Sequence, residues 1–502
     1  MKKAVRIKTL VMFVVFVLTL ALAGFGSNGN SRGTVSSTSA QAAEKEVEIS
    51  MYLIGAPSKD YDEILSEFNK KAKSDLNATL KVNWIGWGDY GTKYPLILAS
   101  GEPIDLIYTS TWLNFYTLAQ KGAFMALDKI GPQYAPKSFA NEPKEGLKQA
   151  TVNGHIYALP PNFIQYSEFG VIYRGDLAKK YGINRIKTFD DYGKYLDAIV
   201  RNEKGMDPAG MYATQTPIDR IYFDQQNLYP LSGDWAINSP FWIQFDDPSG
   251  KVINITKKAD MPRFLAKMKS WSDKGYWPKS VLSNKDDKML QEGKAASLLH
   301  NMGFWSTSAS GHPEYDLKFA DMHKNSFPTP MMQDGMAVPA SAKNPERALM
   351  LLEKIRNDES YWSLLTYGLK DKDYTIEKDG RLKPLRPDVF TPENYCSWGF
   401  NDRTFHKELV SDPAELLPTR AAIIKSAKKN IYTTFNINIE PIKSEYAAIL
   451  NVMQQYYVPL KLGYVDPVSG LATLKSKLKA AGVDKVQAEL QKQVNAFRKA
   501  NK

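Results

Sequence analysis

Aromatic and small polar residues gather behind three short apolar stretches of this sequence. Gly86-Trp87-Gly88-Asp89-Tyr90 follows the alternating run Leu80, Val82, Trp84; Thr109-Ser110-Thr111-Trp112 follows Ile104-Asp105-Leu106-Ile107-Tyr108; Asn301-Met302-Gly303-Phe304-Trp305 follows a run over 295–300. Tyr116, Tyr166, Glu168, Trp398 and Asn401 offer the same kinds of group elsewhere. Indole and phenol rings present flat apolar faces, while Asp89, Ser110, Glu168, Asn301 and Asn401 carry hydrogen-bonding groups for hydroxyls. A pyranose ring has C–H faces and a rim of hydroxyls, so this set predicts a site that grips a sugar by stacking and hydrogen bonding.

Other residues invite duller readings. Trp84 lies on the apolar phase of its run and is expected in the core, and Trp271 and Trp277, flanking a helix end, are expected to pack. Tyr116 falls one helical turn after Trp112 and is equally compatible with a core position. The single cysteine, Cys396, allows neither an intramolecular disulfide nor a cysteine-based metal site. His155, His300, His312, His323 and His406 lack the spacing of a zinc motif, so no cofactor or metal is expected. A secreted polysaccharide-degrading enzyme is the main alternative; it needs two carboxylates across a scissile bond, and none of the 54 acids sits in a recognisable pair. A peptide or other charged solute would favour Arg or Asp at the strand ends, whereas aromatic and neutral polar groups dominate here.

The elements that must position these residues are legible from periodicity. Val47, Ile49, Met51 and Leu53 alternate with Glu48, Ser50 and Tyr52 as a strand, and Ser58 is placed to cap a helix with Tyr61, Ile64, Leu65, Phe68 and Ala72 on one stripe. A second strand over 80–84, a helix over 92–100 and a buried strand over 104–108 complete a βαβαβ unit. Right-handed crossovers bring its strand ends to one edge, where open α/β sheets bind ligands. A second α/β region is expected to about residue 330, with a helix over 262–272. The chain then returns through Gly335-Met336-Ala337-Val338-Pro339 to a helix from Pro345, and Val486, Leu490, Val494 and Phe497 mark a C-terminal helix.

A chain of 502 residues exceeds what a single core supports, and two lobes fit its length. Composition is that of a globular protein, 43% hydrophobic and 24% charged. The basic start and the apolar run from Leu10 to Ala23 predict a signal peptide over 1–23, with Ala21-Leu22-Ala23 as a cleavage site. Its removal lowers the net charge from +11 to +7. No Lys/Arg stripe interleaved with aromatics is present, so no nucleic-acid partner is expected. Residues 24–45, rich in Ser, Gly and Thr, predict a flexible tether.

Gly86-Trp87-Gly88-Asp89-Tyr90, the stretch from Ala99 to Leu106, Lys121-Gly122-Ala123-Phe124 and the run from Asn153 to Pro160 together resemble the family 1 extracellular solute-binding proteins. The similarity is to the large Gram-positive lipoprotein branch that serves oligosaccharide ABC importers, and the part from Tyr395 to the end resembles that branch's own extension. It implies a type II, two-lobed hinged α/β fold with a mostly parallel sheet flanked by helices in each lobe. Residues 46–162 and 336–385 would form the first lobe, 163–335 and 386–502 the second. A monomer without catalytic activity, taking an oligosaccharide and passing it to ABC permease subunits with a cytoplasmic ATPase, is what the resemblance implies. So is a place on the outer face of the cytoplasmic membrane. Leu22-Ala23-Gly24 resembles a lipobox, but Phe25 stands where the lipidated cysteine belongs, which leaves the lipid anchor without its thiol.

Overall fold

A computed structural model describes residues 45–233, 238–286, 288–390, 395–400 and 403–501. The expected signal segment, nearly all of the tether, Phe25 and Asn401 lie outside the described residues.

The predicted βαβαβ unit is present. Strand β1 (Val47–Ile54) pairs in parallel with β2 (Ala78–Ile85) along its whole length, Val47 opposite Ala78 and Ile54 opposite Ile85. On its other side β1 pairs in parallel with β3 (Leu106–Thr109), whose four residues are all buried. Helix α1 (Tyr61–Leu76) buries Ile64, Phe68, Ala72 and Leu76, and ends at Asn77 in the left-handed conformation that asparagine tolerates. Its cap differs from expectation: Asp60, not Ser58, precedes the helix, and the Ser58 hydroxyl lies 3.3 Å from that of Tyr395. Helix α2 (Tyr90–Ala99) connects β2 to β3.

The chain leaves this sheet after Leu159 and comes back to it as the strand Gly335–Ala337, which pairs antiparallel with β3. Asp105 fixes the return. Its buried carboxylate accepts from the backbone N–H groups of Ser50, Lys343 and Asn344 at 3.1, 3.1 and 2.8 Å, tying β1 and β3 to the start of the helix Pro345–Asn357.

The second sheet has the strand Phe169–Tyr173 at its centre, flanked by Ser297–Asn301 and Lys318–Asp321. Both partners run antiparallel to the central strand. Among the described residues, parallel pairing in this lobe is confined to single bridges, Asp207 with Ala295 and Gly210 with Leu298. The mostly parallel sheet expected in each lobe therefore describes the first lobe only. Consecutive strands of the second are not joined by short βαβ crossovers: 123 residues separate Tyr173 from Ser297 and hold an antiparallel triplet and several helices.

Two large hydrophobic cores follow. One gathers the first sheet with Met336, Leu352 and Trp362; the other gathers Val171, Leu196, Phe264 and Trp277 with Ile449, Leu474 and Val494 from the C-terminal helices. A smaller third core surrounds Trp305. Phe390, Tyr395, Cys396, Phe400 and Leu409 pack into the first core. The buried Cys396 thiol donates to the Ile54 carbonyl at 2.9 Å, pinning this strap to the end of β1.

Candidate functional site

Two crossing segments, 160–168 and 322–334, join the lobes and lie side by side. Ser167 N–H donates to Phe327 O, and Thr329 N–H to Gln165 O, each at 2.9 Å. The second crossing enters the first sheet at Gly335, opposite Thr109, so the carboxyl ends of β1 to β3 face the crossings. In the second sheet Phe169, Asn301 and Asp321 share the end from which both crossings depart. The two edges therefore meet where the crossings join them.

On the first lobe the structure brings together Trp87, Tyr90, Trp112 and Trp398. The Trp87 ring stacks between those of Trp112 and Trp398, with centroids 5.9 and 6.4 Å away and interplanar angles of 26° and 28°. Tyr90 stands edge-on to Trp112 at 5.3 Å. All four are half-buried, so ring surface remains open to a ligand. Trp112 stands in the tight turn Thr111–Leu113 and Trp398 in the turn Ser397–Gly399, neither of which has an apolar stripe that would draw the ring inward.

The polar residues behave differently. Asp89 lies on the rim, where Lys285 of the second lobe at 2.5 Å, then Lys93 at 3.0 Å, hold its carboxyl below the usual carboxylate range. Nearby the Thr214 hydroxyl donates to Trp87 O at 3.1 Å, so the lobes touch on both sides of this loop. Ser110 is fully buried and its Oγ accepts from Leu113 N–H, so it caps the turn beneath Trp112 and offers nothing to a ligand. Tyr116 has a half-buried ring edge-on to Phe115, and its buried hydroxyl, without a protein partner, has its pKa raised by burial. Tyr166 belongs to the first crossing and pairs with Pro328 of the second.

From the second lobe, Asn301 is exposed at the end of its strand while its Oδ1 caps the helix Met302–Gly311 through Phe304 N–H. Glu168 accepts from Arg420 Nε at 3.2 Å. Trp305 is a correction: it is 1% exposed, stacks on Phe319 at 5.5 Å, and its indole N–H donates to Leu317 O. It points to the inner face of its helix, and a satisfied, sealed ring has no surface left for a sugar.

Several residues here gave no sequence signal. His300, next to Asn301, stacks on Phe304 at 4.5 Å and accepts at Nδ1 from the Asn301 N–H. Burial lowers its pKa to about 4, leaving a neutral imidazole whose other nitrogen is a donor. Tyr108, inside a strand that reads as pure core, donates to Asp334 Oδ1 at 2.5 Å beneath the indoles. Ser167, His323 and Asp321 stand as in a hydrolytic triad, with Ser167 Oγ 2.6 Å from Nε2 and Asp321 2.6 Å from Nδ1. Ser167 and His323 are nevertheless sealed, and Asp224 also faces Nε2 at 3.3 Å. Against the effect of burial, Asp224 and Asp321 hold the His323 pKa above normal, which disfavours it as a base. Among the described residues no group of three or more His, Cys, Asp or Glu is arranged to hold a metal ion, and no helix is long and apolar enough to cross a membrane.

Residues 55–361 match the bacterial extracellular solute-binding protein family, and this span includes both crossings, Trp87, Trp112 and Asn301. The chain belongs to that family. Residues 431–499 of this solute-binding protein also match a family described as a domain of unknown function. A carbohydrate ABC transporter substrate-binding protein of Streptococcus pneumoniae serotype 4 is 28% identical over 483 residues, covering 93% of this chain and 94% of the relative. Lipoprotein LipO of Bacillus subtilis is 24% identical over 329 residues, covering 61% and 63%. The N-glycan transport solute-binding protein NgtS of Streptococcus pneumoniae, solved with Man5GlcNAc, shares the fold with a TM-score of 0.77 at 24% identity, covering 91% of this chain and 99% of that one.

Proposed function

We propose that this protein is the extracytoplasmic capture subunit of an ABC importer and closes its two lobes on an oligosaccharide. The observation that carries the reading is the half-exposed stack of Trp87, Trp112 and Trp398 on the cleft edge of the first lobe. A pyranose lies flat on such indoles, and His300, Asn301, Glu168 and Arg420 on the facing edge supply donors and acceptors for its hydroxyls. The crossings absorb the backbone change of closure. Permease subunits with a cytoplasmic ATPase then receive the sugar at the outer face of the membrane. The protein binds without reacting: in the triad-like arrangement of Ser167, His323 and Asp321 the serine is buried, and two carboxylates raise the histidine's pKa against the effect of burial.

The similarity to a relative named for carbohydrate transport and to the N-glycan protein makes mannose- and N-acetylglucosamine-containing oligosaccharides the first class to try. Titration calorimetry with Man5GlcNAc, Man1GlcNAc and a panel of xylo-, chito- and pectin-derived oligosaccharides is expected to give saturable binding to at least one. Trp87→Ala and Trp112→Ala are each expected to weaken it by roughly tenfold, the worth of one ring contact. Unchanged affinity in both variants would remove the indole stack from the site, and release of shorter sugars from the panel would establish an enzyme instead.

A further inference from the structure

Asp334 is the last residue of the second crossing, buried and 6% exposed, and both of its oxygens are engaged. Oδ1 accepts the Tyr108 hydroxyl at 2.5 Å and Oδ2 accepts Gln165 Nε2 at 2.8 Å. Gln165 belongs to the first crossing, and its Oε1 in turn accepts from Gln333 Nε2 at 3.3 Å. One carboxylate thus joins both crossings to a tyrosine of the first sheet. The Tyr108 ring lies 5.6 Å from Trp112 and 6.2 Å from Trp398. It is wedged against the turn that carries Trp398: a Cβ placed on Gly399 would come within 2.5 Å of it.

We propose that Asp334 is a positioning residue for the ligand site, holding Tyr108 beneath the indole stack and linking that stack to the two crossings that move when the lobes close. The inference rests on the oligosaccharide reading for its ligand, though not for its geometry. The chemistry of the link is one-directional. Tyr108 and Gln165 both present donors, so the ionised carboxylate satisfies both. A proton on Oδ1 puts donor against donor at Tyr108, which must then turn its hydroxyl and lose its acceptor, whereas a proton on Oδ2 sets the same conflict against Gln165; either way one arm of the link is broken.

Burial raises the Asp334 pKa to about 6, so the link lies within reach of mild acid. Tyr108 on β3 and Cys396 on the strap are the titratable groups facing it, and burial holds both neutral. Gln165 and Gln333 do not titrate. The sign for stability is the reverse of the sign for binding. With its folded pKa above the ordinary 3.8, the contribution of Asp334 to stability is present below pH 4 and is lost as pH rises through 6. Weaker binding at pH 5 than at pH 7 is therefore not caused by unfolding through this group.

Two measurements on the full chain test the proposal. Near-ultraviolet circular dichroism of the ligand-free protein reads the coupled indoles directly. The wild-type signal is expected to change with a midpoint near pH 6, Asp334→Asn to show the low-pH signal at all pH values, and Tyr108→Phe to lose the transition while keeping its ring in place. Calorimetry with Man5GlcNAc, or whichever panel oligosaccharide binds, is expected to show affinity falling from pH 7 to pH 5 in the wild type. In Asp334→Asn it is expected to be about tenfold lower at pH 7 and flat with pH. A wild-type spectrum unchanged between pH 7 and pH 5 would overturn the proposal. So would wild-type spectra and pH response in Tyr108→Phe, which also serves if Asp334→Asn does not fold. A pH-dependent spectrum in a protein that binds no sugar would support the link while ending the oligosaccharide reading.

Discussion

The two sheet edges that the crossings join are made of the same kinds of residue put to opposite use. On the first lobe Trp87 and Trp112 beyond their strand ends, and Trp398 from the strap, are half-exposed, with Trp87 stacked on both of the others. On the second lobe Trp242, Trp271, Trp277 and Trp305 are all buried, and the facing edge is left to His300, Asn301 and the Glu168–Arg420 pair. Sheet construction explains the contrast. Parallel strands deliver several carboxyl ends to one side, each followed by a turn that can hold a ring outward. In the antiparallel second sheet the shared end is formed by one strand's start and its neighbours' finish, and the long insertions between strands use their rings to build cores. One edge is therefore suited to stacking and the other to hydrogen bonding.

The largest effect that would separate the edges is on stability. Trp277→Ala removes a ring that is 1% exposed and whose N–H donates to Leu462 O at 3.0 Å, and is expected to cost about 3–5 kcal/mol in denaturant unfolding. Trp112→Ala, half-exposed, is expected to leave the midpoint nearly in place while weakening sugar binding. Equal losses of stability in the two would erase the distinction drawn between them.

A smaller effect concerns acid. His300 has its folded pKa lowered below 6.5, so its contribution to stability is present above 6.5 and is lost as pH falls through about 4. His300→Phe is expected to reduce the fall in melting temperature between pH 6.5 and pH 4, opposite in sign to Asp334→Asn over the same range. A matching pH profile in the wild type and His300→Phe would show that the imidazole is not buried as described. The smallest effect is expected at the rim. Lys285→Ala removes the partner of Asp89 across the cleft mouth; the melting temperature should hold, and the salt dependence of sugar affinity should weaken, because an exposed pair is screened. A salt dependence identical to wild type would show that this contact has no part in closure.

Trp87 and Trp112 were legible as rings standing beyond strand ends because strand, turn and aromatic follow one another within a few positions. The same pattern misplaced Trp305, since a helix begins at Met302 and turns that ring toward Leu317 and Phe319. Ser110 looked like a ligand hydroxyl and is a turn cap, while Asp105, which drew no attention, holds the returning chain in place. His300 and Asp334 were invisible for a common reason: their character comes from burial and from partners far away in sequence.

Periodicity and turn residues alone determined the βαβαβ unit and the helices that begin near Met261, Pro345 and Val483, because hydrophobic spacing is a local property that the backbone must satisfy wherever the segment lies. Which rings stay half-exposed, where Phe390, Tyr395, Phe400 and Leu409 pack, and which carboxylate ties the crossings to Tyr108 were decided by tertiary structure. Exposure and pKa depend on what the rest of the chain places alongside, and no window of neighbouring residues contains that information.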